Sequence, residues 1–382
     1  LKHRLYALMS NQQAMDDLLR FWQEWKKNPN VDARKKPWHG FGPFKNLFMH
    51  LLDLRRWNTT DRIEASGFRQ ALEEDIDNDE RDLTFEVELW YRSGASRRSL
   101  GSQEVRNLAS DAGGTVLSEY ILGEIHYHGL LVHMPKDSAK RFRDAVRNNP
   151  ATKILACEAV MYFRLHGQAR LHDQIPSSIP YHLDQELVSR PPPSGSPVIA
   201  VLDGVPLGEH LAIRGRFQLD DPDDHTSAYA KPEQRRHGTA MASAVIHGDL
   251  STGGEPLFRP IHMQPILIPA PSFDASHADE VSPSNRLLVD LIHTAVKRMV
   301  DVSNGQATAP SIRIVNLSFG NPYQPFDREM TPLAKLIDWL SWKYRLLFIL
   351  SMGNHDDPIR LELTSEAWNL LDDHQAVGQT TK

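Results

Sequence analysis

Hydrophobic positions along the chain fall into three successive patterns. Through residues 1–80 they recur every three or four positions. Met15, Leu18, Leu19, Trp22 and Trp25 share one apolar face, which predicts a helix. A second helix is predicted over Phe44 to Leu54. Trp57 followed by Asn58-Thr59-Thr60-Asp61 marks a break and a new helix start. The tryptophan-rich stripe is read as core packing rather than as a docking surface.

From Leu83 the period changes. Leu83 to Tyr91 alternates as a strand, and Gly101 to Ala112 is helix-like. Thr115 to Leu122 and Glu124 to His133 read as two strands parted by Gly123, Asp137 to Arg147 as a helix, and Ile154 to Leu165 as a last strand. Residues 83–166 therefore predict β-α-β-β-α-β, the ferredoxin-like arrangement. His126, His128 and His133 lie on its third strand, with His126 and His128 expected on one face; too few further ligands accompany them for a metal site. Residues 167–196 turn rich in Pro and Ser and end in Pro191-Pro192-Pro193-Ser194-Gly195-Ser196, a stiff, extended linker.

Residues 197–382 alternate strand and helix. Strands are predicted at Val198 to Leu202, Gln264 to Ile268, Ile312 to Leu317 and Leu346 to Ser351. Helices are predicted from His237, over Asn285 to Met299, and over Pro332 to Tyr344. Apolar strands joined by crossover helices imply an α/β domain, a parallel sheet with helices on both faces. The ligand site of such a sheet lies at the carboxyl ends of its strands.

Composition narrows the function classes. A chain of 382 residues that is 40% hydrophobic has room for two or three soluble globular domains. No apolar run reaches membrane-spanning length, so no membrane role is expected. The net charge of -6 is spread out, and Arg34-Lys35-Lys36 is read as a solvated loop, so nucleic acid is not an expected partner. Cys157 is the one cysteine; it is read as a small core residue, and its lack of a partner suggests a reducing compartment or a fold that needs no disulfides. The sequence starts at Leu1 rather than Met, so the lack of a signal peptide carries no weight.

The chemically suggestive residues sit at strand ends. Asp203 directly follows the apolar strand ending Val201-Leu202, where a carboxylate can orient an imidazole. His237 comes 34 positions later, in Arg236-His237-Gly238-Thr239-Ala240-Met241-Ala242-Ser243 at a helix start. Asn354 ends Ser351-Met352-Gly353-Asn354 after a buried strand, where its amide is the donor an oxyanion hole needs. Ile314 to Leu317 runs into Ser318-Phe319-Gly320, whose backbone can pair with an extended peptide.

These motifs, in this order, resemble the subtilases, the subtilisin-like serine peptidases, over about Pro197 to Asn354. The resemblance implies peptide-bond hydrolysis through an Asp-His-Ser triad, with no cofactor. Asp203 would orient the base, His237 serve as general base and then acid, and Asn354 as oxyanion donor. Ser318, Phe319 and Gly320 would line the substrate cleft. Departures are present. Asp203 is followed at once by Gly204 where the family has Ser or Thr before Gly, and Met352 replaces a small residue. The Gly-Thr-Ser-Met-Ala nucleophile motif is missing from the 28 residues after Asn354. The similar Gly238-Thr239-Ala240-Met241-Ala242 belongs to the His motif.

By the same resemblance, residues 83–166 correspond to an inhibitory prodomain; the alternative is a structural module that is never removed. Phe44, Leu47, Phe48, Leu51, Arg55, Arg56 and Trp57 are similar to the front of large bacterial subtilases encoded beside an ATPase, implying an AAA-type ATPase partner and a cytoplasmic location. The acidic loop Asp220, Asp221, Asp223 and Asp224 lacks EF-hand spacing and is read as solvated rather than as a structural calcium site. The expected partners are thus a protein or peptide substrate and a C-terminal part of the same protein carrying the serine. The competing readings are an inert N-terminal fragment and a pseudoprotease that binds extended peptides without cutting them.

Overall fold

The computed structural model describes residues 12–29, 42–74, 81–148, 152–166, 191–249, 255–270, 280–305, 307–320 and 330–351. Asn354 and most of the linker, residues 167–190, lie outside them.

The chain opens with helix α1 (Gln12–Lys27) and α2 (Gly42–Phe48). Phe21, Trp22 and Phe48 bury against each other, with Trp22 stacked on Trp25 at a centroid distance of 5.3 Å. The helix expected over Phe44 to Leu54 stops at Phe48, and residues 49 and 50 form a turn. Helix α3 (Thr59–Glu64) starts where Asn58-Thr59-Thr60-Asp61 predicts. Asp61 N–H donates to Asn58 Oδ1 and Asn58 N–H donates to Asp61 Oδ2, each at 3.0 Å, a reciprocal capping box. Replacing Asn58 with alanine should cost about 1 kcal/mol, read as a lower urea midpoint with an unchanged slope. Helix α4 is Phe68–Glu74.

Strands β1 (Leu83–Leu89), β2 (Thr115–Leu122), β3 (Tyr127–Met134) and β4 (Val160–Leu165) form an antiparallel sheet in the order β2-β3-β1-β4. With helices α5 (Ala95–Asp111) and α6 (Lys136–Asn148) on one face, this is the ferredoxin-like topology. Alternation sends Phe85, Val87, Leu130 and Val132 into the core beneath those helices. Ile63 and Phe68 of α3 and α4 join the same core.

Two strand expectations are corrected. Ile154 to Leu165 begins as the short helix α7 (Lys153–Ala156), and only Val160 onward pairs. Residues Gly123–Ile125 form a 3-10 turn, and His126 is left-handed with φ 51°. The third strand thus starts at Tyr127, and His126 stacks on Tyr91 instead of sharing a strand face with His128. His128 is buried against Glu119 and Ser102. Cys157 is buried, and burial pushes its thiol up to about 11, where it stays protonated and unreactive.

The second sheet contains β5 (Ile199–Asp203), β6 (Phe217–Leu219), β7 (Ile261–Pro265), β10 (Ile314–Leu317) and β11 (Leu347–Leu350), all parallel, in the order β11-β10-β5-β7-β6. The strand expected over Gln264 to Ile268 is split. β7 ends at Pro265, and β8 (Ile268–Pro269) pairs separately with β9 (Glu280–Val281).

Helix α8 (Arg236–His247) covers one sheet face, with Ala242 and Ile246 against Val201 and Met263. Helices α9 (Leu288–Val300) and α10 (Pro332–Tyr344) cover the other, against Ala200, Leu202, Val315 and Leu317. The alternation along β5 (Ala200 one way, Val201 the other) explains why such strands read as unbroken apolar runs. At the edge, β11 leaves Leu347 60% and Ile349 49% exposed.

The antiparallel sheet meets the parallel domain through its helix-free face. Leu122 and Tyr127 enter the core of α9 and α10, and the Tyr120 hydroxyl bonds to His293 Nδ1. Glu86, Glu88 and Arg164 are buried on this same face.

Candidate active site

Asp203 is the last residue of β5, and its side chain is fully buried. Its carbonyl is held by Ile266 N–H at 2.8 Å, so the strand end is anchored to the chain that leaves β7. Its Oδ1 accepts from Gly204 N–H at 2.6 Å and from His237 Nδ1 at 2.8 Å. Oδ2 is buried and accepts no hydrogen bond from the described residues.

His237 is the second residue of α8. Two neighbours explain why Gly-Thr follows it. A Cβ on Gly238 would stand 2.6 Å from the Gly204 carbonyl oxygen, so only glycine lets the helix start touch the Asp203 loop. Thr239 then clamps that loop: its Oγ1 accepts from Leu207 N–H at 2.8 Å and donates to Arg235 O at 2.6 Å.

The imidazole retains 19% of its side-chain exposure beside a carboxylate that has none. With Asp203 accepting from Nδ1–H, the tautomer is fixed and Nε2 carries the lone pair. An imidazole so oriented is chemically able to accept a proton at Nε2, with the carboxylate beside it to stabilise an imidazolium.

Ser318, Phe319 and Gly320 follow β10 directly. Leu317 is in register with Leu202, so Ser318 lies beside the end of β5 that carries Asp203. Ser318 is buried and Asn316 Nδ2 donates to its Oγ. The Phe319 ring joins the core with α9 and α10, whereas a Cβ on Gly320 would meet nothing within 4 Å. Any lining of the cleft by this segment is therefore by its backbone and Gly320, not by the Phe319 ring. Ser351 N–H bonds to Leu317 O, which brings the chain that leads toward Asn354 to the same strand ends.

Two residues missed by sequence reasoning complete the site. Glu280, at the start of β9, is buried, and its Oε1 accepts from the Tyr229 hydroxyl at 2.5 Å. That hydroxyl also lies 3.0 Å from Leu267 O and accepts from Val205 N–H at 3.2 Å. Burial, and after it the Glu280 charge, push the Tyr229 hydroxyl far above its ordinary range, so it keeps its proton. Potential ligand atoms of Asp203, His237 and Glu280 lie within 4.8 Å of one another. A cation there would compete with the Nδ1–H for Asp203.

The acidic loop has its own partners. Arg298 and Thr308 hold Asp220, the backbone at His225 and Thr226 caps Asp221, and Arg286 holds Asp223.

Among the described residues, no helix is long and apolar enough to cross a membrane. Comparison with curated proteins gives no match. Residues 195–381 match the subtilase family model, Peptidase S8. The span contains the five-stranded parallel sheet and the hydrogen-bonded Asp203–His237 pair, and over it the chain is similar to the subtilase family of serine peptidases.

Proposed function

We propose that the protein is a serine endopeptidase in which Asp203 and His237 activate a serine contributed by a segment outside these 382 residues. The observation that carries this reading is the 2.8 Å contact from His237 Nδ1 to the fully buried Asp203 carboxylate, at the carboxyl end of a parallel sheet. The serine Oγ attacks the scissile carbonyl while His237 Nε2 takes its proton. A tetrahedral oxyanion forms and collapses to an acyl-enzyme as His237 returns the proton to the leaving amine. Water then repeats the cycle on the ester. Asn354 and the serine's own N–H are the proposed oxyanion donors, and the backbone from Ser318 to Gly320 is the proposed cleft wall.

The exposed leucines and isoleucine of β11 favour a further element beside that strand, because parallel sheets are normally covered on both faces. In this reading the serine-bearing segment supplies it. The ferredoxin-like module, seated on α9 and α10 through Tyr120, Leu122 and Tyr127, acts as a prodomain-like cap. A cytoplasmic location and an ATPase partner follow from the resemblance of the N-terminal helices, and the single cysteine agrees with the former.

The test is hydrolysis of an unfolded protein by the full-length gene product. New peptide termini that disappear in Asp203→Asn support the reading, and stable binding with the substrate recovered intact would favour a pseudoprotease.

A further inference from the structure

Gly204 is pressed from two sides. On one side its carbonyl lies against Gly238, the residue after His237. On the other, a Cβ built on Gly204 would fall 1.7 Å from Glu280 Oε1, 2.5 Å from Glu280 Cδ and 2.7 Å from the Tyr229 hydroxyl. The Glu280 carboxylate therefore occupies the volume that any side chain at position 204 would take. Tyr229 holds that carboxylate in place: its hydroxyl donates to Glu280 Oε1, accepts from Val205 N–H and lies 3.0 Å from Leu267 O. These backbone contacts flank the Asp203 loop at both ends. Leu267 sits next to Ile266, whose N–H holds the Asp203 carbonyl, and Val205 follows Gly204.

We infer that Glu280 is a positioning residue for the Asp203–His237 pair. Its carboxylate, braced by Tyr229, is a wedge that packs Gly204 against Gly238 and so sets the separation of the two residues that precede those glycines. The stack runs Tyr229 and Glu280, then Gly204, then Gly238, with Asp203 and His237 attached to the two glycines. Packed interiors have little slack, so a wedge at one end fixes the spacing at the other. A general base misplaced by a fraction of an ångström loses rate without losing substrate. This inference rests on the peptidase reading for its consequence in catalysis, but its geometry is independent of the nucleophile.

The experiment follows the downfield proton NMR signal of His237 Nδ1–H in the 382-residue chain, assigned by its loss in His237→Ala. It also follows kcat and KM in the full-length protein, well below each variant's unfolding temperature. Glu280→Ala is expected to shift or broaden that signal and to lower kcat about tenfold or more with KM nearly unchanged. Glu280→Gln, which keeps the wedge and an acceptor for Tyr229, should retain both. Gly204→Ala alone should disturb the signal, and adding Glu280→Ala, which empties the contested volume, should restore it toward the unsubstituted state.

An undisturbed signal in Glu280→Ala, or purely additive effects of the two alanine substitutions, overturns the inference. A full-length protein that shows the signal but cleaves nothing would sink the peptidase reading while leaving the wedge intact.

Discussion

Replacing His237 with alanine in the full-length protein should lower kcat by about a million-fold with little change in KM, because a triad stripped of its base loses nearly all its cooperative action. Asp203→Asn should cost about ten-thousand-fold. An amide at position 203 can present its NH2 to Nδ1, which favours the tautomer with the proton on Nε2, where it can no longer accept from a nucleophile. The two substitutions act as one unit, so the double variant should be scarcely worse than His237→Ala. Steady-state kinetics on one unfolded substrate decides this, and effects that multiply independently would mean that Asp203 and His237 do not work together.

The second large effect concerns the buried charges between the module and the parallel domain. Arg164 is paired with Glu88 and lies 3.9 Å from Glu86 Oε1, all three are buried, and the Tyr127 hydroxyl donates to Glu86 at 3.0 Å. Arg164→Ala leaves carboxylates in the interior without their cation, a change worth about 3–5 kcal/mol. Urea unfolding followed by tryptophan fluorescence should show a loss of that size, and a variant within about 1 kcal/mol of the parent would contradict the description of this cluster.

The same cluster predicts a pH dependence. Burial, opposed by Arg164, raises Glu86 from 4.5 to about 7. The folded carboxyl thus holds its proton where the unfolded one has lost it. Its contribution to stability is full below pH 4.5 and is lost as pH rises through 7, with a total on the order of 1–3 kcal/mol. Glu86→Gln should flatten the stability profile over that window. Since this face of the sheet meets α9 and α10, acidification is expected to tighten the module rather than to release it.

The parallel domain was legible because its signals are local. An apolar strand ending in Asp, a His-Gly-Thr helix start, and Ser-Phe-Gly after another strand each carry their geometry in a few adjacent residues. The helix-to-strand change near Leu83 was legible for the same reason. What the sequence hid depends on contacts between distant segments. Glu280 reaches Tyr229 across 51 positions, and its one trace in the sequence is the glycine after Asp203, whose cause lies elsewhere in the fold. The burial of the Phe319 ring in the core with α9 and α10 was likewise hidden, because strand position does not tell which core claims a side chain. His126 was misplaced because a left-handed residue other than glycine breaks the alternation without any glycine to announce it.

The most direct test of the central claim is the rate at which a fluorophosphonate forms an adduct with the full-length protein, compared with the His237→Ala variant. Rapid labelling of a single serine in the parent, with labelling abolished in the variant, is the predicted result. Equal labelling of the two proteins, or none in either, would contradict the assignment of His237 as the base of a serine peptidase.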